Sequence, residues 1–229
     1  MCKFSAADNT TARCNLIDER RKLEVTAIPL DTISVHGIAV GTLCTLADYL
    51  MAFLHWRALL LRSESLQERS SDIKSQRDFC RTLCLDQVPS GGDGKRDWLS
   101  VCYHVFASLI RDRLPSLPLD RQLRRYADME MGIKAGSRRQ FLQENFGGRM
   151  MGRCFCLTEG GRMGMGTGFM TPGDLIVVPL GCSTPILIRP QGRRGEYRFV
   201  GDVYIHGYMH GKAMDDWNWR MALPKYIIH

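Results

Sequence analysis

No apolar stretch in this sequence is both long and unbroken. The longest, Leu43 to Leu61, is interrupted by Asp48, His55 and Arg57, which argues against a membrane span. The opening residues, Met1-Cys-Lys-Phe-Ser-Ala-Ala-Asp, lack the apolar core of a signal peptide. A cytoplasmic protein with no membrane partner is therefore expected. No Gly-x-Ser-x-Gly occurs, so the nucleophile elbow of a serine hydrolase is excluded. Ser90-Gly-Gly-Asp-Gly94 has the glycines of a phosphate loop but no Gly-Lys-Ser/Thr ending and an acid at its centre. It reads as a flexible break. No cysteine pair has the two-residue gap of a zinc ribbon or thioredoxin motif, so neither a metal nor a cofactor is expected. Fixed-period repeats and low-complexity tracts are also absent.

What is present is an ordinary globular composition. Hydrophobic residues make up 45% of the 229 positions and charged ones 24%, enough to bury a core. The nine cysteines are irregularly spaced, and without a secretory signal they read as reduced thiols serving as small buried hydrophobes. Cys80 and Cys84 stand at helical spacing, whereas Cys154 and Cys156 share one face of a strand. The formal charge of +7 is spread over helices, turns and strand ends, which implies a generally basic surface. Arg121, Arg124, Arg125, Lys134, Arg138 and Arg139 form the densest basic cluster. A solvated helix face explains it, and a nucleic-acid partner is not expected.

Along the chain, residues 1–22 are polar and read as a loose leader. Lys22 to Leu30 and Asp31 to Thr42 have strand character, with Gly37 marking a bulge or bend. One of them is expected to join the C-terminal sheet. From Thr45 the period becomes helical, with Leu46, Tyr49, Leu50, Phe53, Leu54, Ala58 and Leu61 as the apolar stripe. Ser63 to Gln76 is charged, either a helix extension or a loop. Helical spacing resumes over Asp78 to Gln87 and stops at Pro89. Asp97 is placed to cap a helix with Trp98, Val101, Cys102, Val105, Phe106, Leu109 and Ile110 on one face. A further helical region, Asp120 to Asn145, is divided by Gly132 and Gly136.

Past Gly152 the pattern is short β-branched and aromatic runs separated by Gly, Pro and Asp, the signature of antiparallel strands with tight turns. The glycines Gly160, Gly161, Gly164, Gly166 and Gly168 alternate with Met163, Met165 and Phe169. That fits a strand approached closely by another segment better than a nucleotide loop. Asp202, Tyr204 and His206 alternate, so they share one strand face, with Val203 and Ile205 turned into the core. A carboxylate, a phenol and an imidazole on one face suit acid–base catalysis if a pocket lies over them. Ordinary hydrogen bonds on a polar strand face are the plainer explanation. His206 and His210 are four residues apart, but Gly207 and Gly211 argue against a metal-binding helix.

Five blocks here resemble the C-terminal region of fungal heterokaryon-incompatibility (HET) domain proteins. Gly152-Arg-Cys-Phe-Cys-Leu-Thr-Glu-Gly160 is similar to that family's G-R-x-F-x-x-T opening, and Arg162-Met-Gly-Met-Gly-Thr167 to its glycine step. Pro172-Gly-Asp-Leu-Ile-Val-Val-Pro-Leu-Gly181 resembles its G-D-x-V-x-V-L-x-G strand, and Pro185-Ile-Leu-Ile-Arg-Pro190 its P-x-x-L-R. Val200 to Ala213 resembles the closing G-x-x-Y-V-H-G-x-M-x-G-E-A, with Lys212 in the usual acidic position. Upstream, Val35-His-Gly-Ile-Ala-Val-Gly-Thr42 is similar to the strand that precedes the family's helical region. The resemblance covers about Ile33 to Met214 and implies a fungal intracellular protein. In those proteins the Toll/interleukin-receptor-like HET domain stands upstream, and it is not expected here.

The expected fold is α+β, a central helical section packed against a mainly antiparallel sheet or small open β-barrel. Residues 1–32 would be leader and possible first strand. Residues 33–229 would be a single α+β domain, helical over about 43–147 and strand-rich over about 152–214. The expected function is a HET-like interaction or regulatory module with a protein partner or small-molecule ligand. The alternative is a small cofactor-free enzyme of secondary metabolism, an isomerase, cyclase or hydratase (lyase type), with Asp202, Tyr204, His206 and His210 as acid–base candidates. The sequence leaves open whether the protein is an enzyme, and it leaves the oligomeric state unknown.

Overall fold

The computed structural model describes residues 4–19, 21–62, 73–88, 97–192, 195–218 and 220–229. The readings placed on Ser63 to Asp72, on Pro89 and on Ser90 to Gly94 lie outside these residues. The architecture is α+β, with helices and a mainly antiparallel eight-stranded sheet. The chain divides into two units, one of residues 1–36 with 155–229 and one of residues 37–154.

The strand unit is built on one long element. β1 is Cys14–Ile17 and β2 is Lys22–His36, followed by β3 (Arg153–Thr158), β4 (Met163–Thr167) and β5 (Leu175–Pro179). β6 (Ile186–Pro190), β7 (Glu196–Ile205) and β8 (Lys225–Ile228) complete it. The ladder runs β2-β3-β4-β7-β6-β5 and returns to β2, because Ala27–Thr32 pair with β5 while Ile33–His36 pair with β3. The hydrogen-bonded strands thus form a closed ring, which leaves few free edges. The first residues of β2 hold β1 through Cys14↔Val25 and β8 through Leu23↔Ile228. β7 pairs with β8 in parallel, with Glu196 opposite Ile227.

β2 corrects the expectation of two strands meeting near Leu30. It is a single fifteen-residue strand with register shifts between Pro29 and Asp31 and between Ile33 and Val35. Such bulges bend a strand without ending it, and they tolerate a proline that cannot donate to the ladder. Gly37 lies just past the strand and is not one of its bulges. A Cβ there would collide with the Trp56 indole, so close packing accounts for the glycine. Within the segment read as a loose leader, residues 5–7 are held in place. Ala6 and Ala7 are fully buried, and the backbone N–H groups of Ser5, Ala6 and Ala7 donate to Met209, Ser183 and Cys182.

In the helical unit, α1 is Leu46–Arg62, α2 Ile73–Leu83, α3 Trp98–Arg113, α4 Arg121–Asp128 and α5 Arg138–Leu142. The buried face of α1 is Tyr49, Leu50, Ala52, Phe53, Trp56, Arg57 and Leu60. It is rotated from the expected stripe, and Leu61 is 39% exposed. α3 is buried on every side from Val101 to Ile110, which marks it as the central helix of this unit. Asp97 occupies its N-cap position but forms no side-chain cap bond, pairing instead with Arg77 at 3.4 Å and with the Ser100 hydroxyl at 3.2 Å. Gly132, at φ +64, interrupts the helical run after α4 as its sequence suggests. Beyond α5 the backbone widens into a π-helical turn, Gln143–Gly147, whose Gly147 carbonyl accepts the Tyr49 hydroxyl at 3.2 Å. Phe53 centres the packing, stacked on Phe106 with ring centroids 4.2 Å apart and edge-on to Tyr103.

Candidate functional site

Strand β7 carries Asp202 and Tyr204, and His206 and His210 follow in the turn after it. Its register sets Ile205 opposite Gly164, Tyr204 opposite Met165 and Val203 opposite Gly166. Val203 and Ile205 are fully buried. They face the side toward which Cβ atoms at those glycines would point: at Gly164 one would meet Ile205 Cδ1 at 2.8 Å and Cys156 Sγ at 3.0 Å. Asp202, Tyr204 and His206 consequently share the opposite face. Tyr204 is 3% exposed, and its hydroxyl lies 3.1 Å from His206 Nδ1. The Phe4 ring spans 5.9 Å to Tyr204 and 6.0 Å to His210, bringing those two residues around one aromatic cap. Asp202 is exposed, opposite Ile186 of β6.

Chemically, the phenol and imidazole are within reach for proton exchange. The segment after β7 is a turn with Gly207 at φ +81 and Gly211 at φ +79, so His206 and His210 do not share a helix face. Among the described residues, no group of three or more His, Cys, Asp or Glu is arranged to hold a metal ion.

A second polar cluster was not legible in the sequence. Asp31 of β2 receives the Arg162 guanidinium and the Gly160 N–H. Arg162 also donates to the Tyr208 hydroxyl at 3.3 Å, and that hydroxyl donates to Asp216 at 3.1 Å. The guanidinium sits 5.0 Å from the Tyr208 ring centroid and the Lys212 ammonium 5.6 Å from it. Burial opposes ionisation of Asp31. The Thr158 hydroxyl, the Thr32 N–H and Arg162 outweigh it and hold the carboxyl below its ordinary range. Asp31 and Arg162 are 131 positions apart, and no local pattern links them.

A third cluster explains two blocks of the resemblance. Asp174, fully buried, accepts two bonds from Arg189, at 2.6 Å from Nε and 2.9 Å from an Nη, and a third from the Thr171 N–H at 2.8 Å. Planar bidentate pairing of this kind fixes orientation as well as charge. It ties the turn before β5 to β6. The alternating glycines likewise form strand β4, where a Cβ at Gly166 would press on the Met170 methyl at 2.7 Å and on Val203 at 3.2 Å.

In the helical unit Arg57 is buried and pairs with Asp120 at 2.5 Å, and Gln122 accepts its other nitrogen at 2.5 Å. Burial again opposes ionisation of Asp120, and the Leu123 N–H and Arg57 outweigh it, keeping that carboxyl low. Asp120 thereby caps α4. Cys80, Cys84 and Cys102 are buried as expected, and burial pushes the Cys84 thiol up to about 12. Arg121, Arg124 and Arg125 are exposed, whereas Arg138 reaches Asp112 at 3.3 Å. A cavity of about 340 Å³ opens beside Lys74, Arg77, Arg81 and Trp98. None of the sequence-predicted site residues lines it.

Comparison with known proteins finds likenesses to part of the chain. One curated relative, Heterokaryon incompatibility protein 6, OR allele, from Neurospora crassa, is 40% identical over 68 residues, which is 29% of this chain. The matched stretch spans about 10% of that relative's length. No solved structure matches. Residues 122–220 match the Het-6 beta-barrel domain family, and this part of the chain is thus related to the C-terminal region of heterokaryon-incompatibility proteins.

Proposed function

We propose that the chain is a HET-related interaction or regulatory module that works through a protein partner in the cytoplasm. The observation that carries this reading is the use made of the resembling blocks. Asp174, Arg189, Arg162, Gly164 and Gly166 are spent on ion pairs and close strand contacts, so the shared pattern specifies a scaffold. What such a scaffold offers a partner is its surface. No helix among the described residues is long and apolar enough to cross a membrane.

A second reading, a cofactor-free acid–base enzyme acting on a small molecule, is favoured by one contact, the 3.1 Å approach of the Tyr204 hydroxyl to His206. One experiment separates the two. The chain, and its His206→Ala variant, are expressed in one partner of a forced fungal heterokaryon, and hyphal growth and compartment viability are scored. The interaction reading expects reduced growth that His206→Ala leaves unchanged. Unaltered growth in every pairing sinks it, and so does a growth effect abolished by a folded His206→Ala protein.

A further inference from the structure

We propose that Cys14 and Cys182 form a redox site, at which a peroxide joins the two thiols into a disulfide that locks the amino-terminal segment onto the strand ring. This goes beyond the reading above and does not depend on it. The placement follows from backbone bonds. Thr26 of β2 donates its N–H to the Arg13 carbonyl at 2.9 Å and accepts the Leu180 N–H at 3.1 Å. The two groups of one strand residue point to the same edge. Arg13 and Leu180 therefore meet beside Thr26, with Cys14 one residue past the first and Cys182 two past the second.

Further contacts tighten the juxtaposition. Gly181, at φ +77, turns the chain so that a Cβ there would lie 2.5 Å from the Ala12 nitrogen, and Cys182 N–H closes that turn onto Pro179 O at 3.1 Å. The Gly181 N–H donates to Thr10 Oγ1 at 3.0 Å and the Ala7 N–H to Cys182 O at 3.2 Å. Both cysteines are exposed, whereas Cys80, Cys84, Cys102, Cys154 and Cys156 are buried. Cys14 also lines an open groove of about 710 Å³ with Arg13, Thr26 and Lys225, which gives an oxidant access. Burial first, and then the neighbouring Cys14, raises the Cys182 thiol, consistent with sulfurs that sense each other. Cys14 begins a short strand paired with β2 and Cys182 closes a turn, and a disulfide needs their Cα atoms about 5.5 Å apart.

The chemistry balances with hydrogen peroxide as oxidant. The Cys14 thiol loses its proton, the thiolate attacks one peroxide oxygen, the O–O bond breaks, and a sulfenic acid and hydroxide form, the hydroxide taking up the released proton as the first water. The Cys182 sulfur then attacks the sulfenic sulfur. The S–S bond forms, hydroxide leaves, and with the thiol proton it becomes a second water. A dithiol reductant reverses the link by exchange.

The test treats the reduced full chain with hydrogen peroxide under native conditions, blocks remaining thiols with N-ethylmaleimide, and maps peptides by mass spectrometry. A Cys14–Cys182 linked peptide within one chain is expected, with both residues losing alkylation together and regaining it after dithiothreitol. In Cys14→Ser, Cys182 must then remain alkylated, and in Cys182→Ala, Cys14 must stop at, or pass beyond, the sulfenic acid. The proposal is overturned if both residues stay alkylated in the wild type, if Cys14 is over-oxidised without a linked peptide, or if the link forms only between chains.

Discussion

His104 is one of the few histidines of the chain and no motif contains it, yet its surroundings give it a measurable consequence. It is 2% exposed on α3, and its Nδ1 lies 3.0 Å from the Tyr126 carbonyl. A carbonyl only accepts, so Nδ1 carries the hydrogen of this bond. Nε2 is buried with no hydrogen-bond partner among the described residues. Burial lowers the pKa of this imidazole, the Tyr126 carbonyl opposes that, and Arg138 and Arg111 add to the lowering. The unfolded chain therefore takes up a proton near the ordinary value of about 6.5 while the native state resists it. The resulting stability is fully present above that pH and is lost as pH falls toward the lowered native value. Denaturant melts at pH 7.5 and pH 5.5 should show a loss in the wild type that is smaller in His104→Gln. Equal losses in both proteins would remove His104 as the cause. Asp31 and Asp120, held below the usual carboxylate range, add a similar loss only at lower pH.

At the scale of elements, β4 shows what alternation can and cannot predict. The glycine–methionine pattern identifies a strand that something approaches closely. That the approaching group is β7 depends on the sheet order. Gly164→Ala would set a Cβ 2.7 Å from the Tyr204 carbonyl oxygen and 3.0 Å from Cys156 Sγ. Backbone cannot give way cheaply, so a loss of about 1–3 kcal/mol is expected in thermal or denaturant unfolding. Gly148→Ala meets nothing within 4 Å and should be neutral or slightly stabilising, since it removes backbone freedom from the unfolded chain. Equal effects of the two would show that crowding at β4 is not what selects glycine there. The helices were legible in the same partial way. Spacing located α1 and α3, but the buried face of α1 is rotated toward Trp56 and Leu60. A seventeen-residue helix this rich in apolar residues offers several stripes of similar hydrophobicity, and only the neighbours choose among them. The two bulges of β2 left no sequence signal separating one bent strand from two.

At the scale of the whole chain, residues 5–7 and Lys225–Ile228, near opposite ends of the sequence, are drawn to the sheet. Residues 4–10 lie along Cys182, Ser183 and Met209 through backbone bonds of 2.9–3.2 Å, and β8 pairs with both β2 and β7. Removing residues 1–9 exposes the seats of Ala6 and Ala7 and deletes three of those bonds. It should lower stability by about 2–4 kcal/mol, seen by calorimetry as an earlier transition. An unchanged transition would mean the segment rests on the ring without supporting it. By itself the sequence determined the α+β composition, the order of helical and strand-rich sections, the sharing of one face by Asp202, Tyr204 and His206, and the resemblance to HET proteins. Each of these is a local property, set by residue period, turn chemistry or motif order. Only the tertiary structure decided that β2 closes the ring, that Asp31 meets Arg162, that Asp174 is clasped by Arg189, and that Phe4 covers Tyr204 and His210. Those contacts join residues far apart in the chain, and their free energy comes from burial and charge pairing that exist only once the strands are in register.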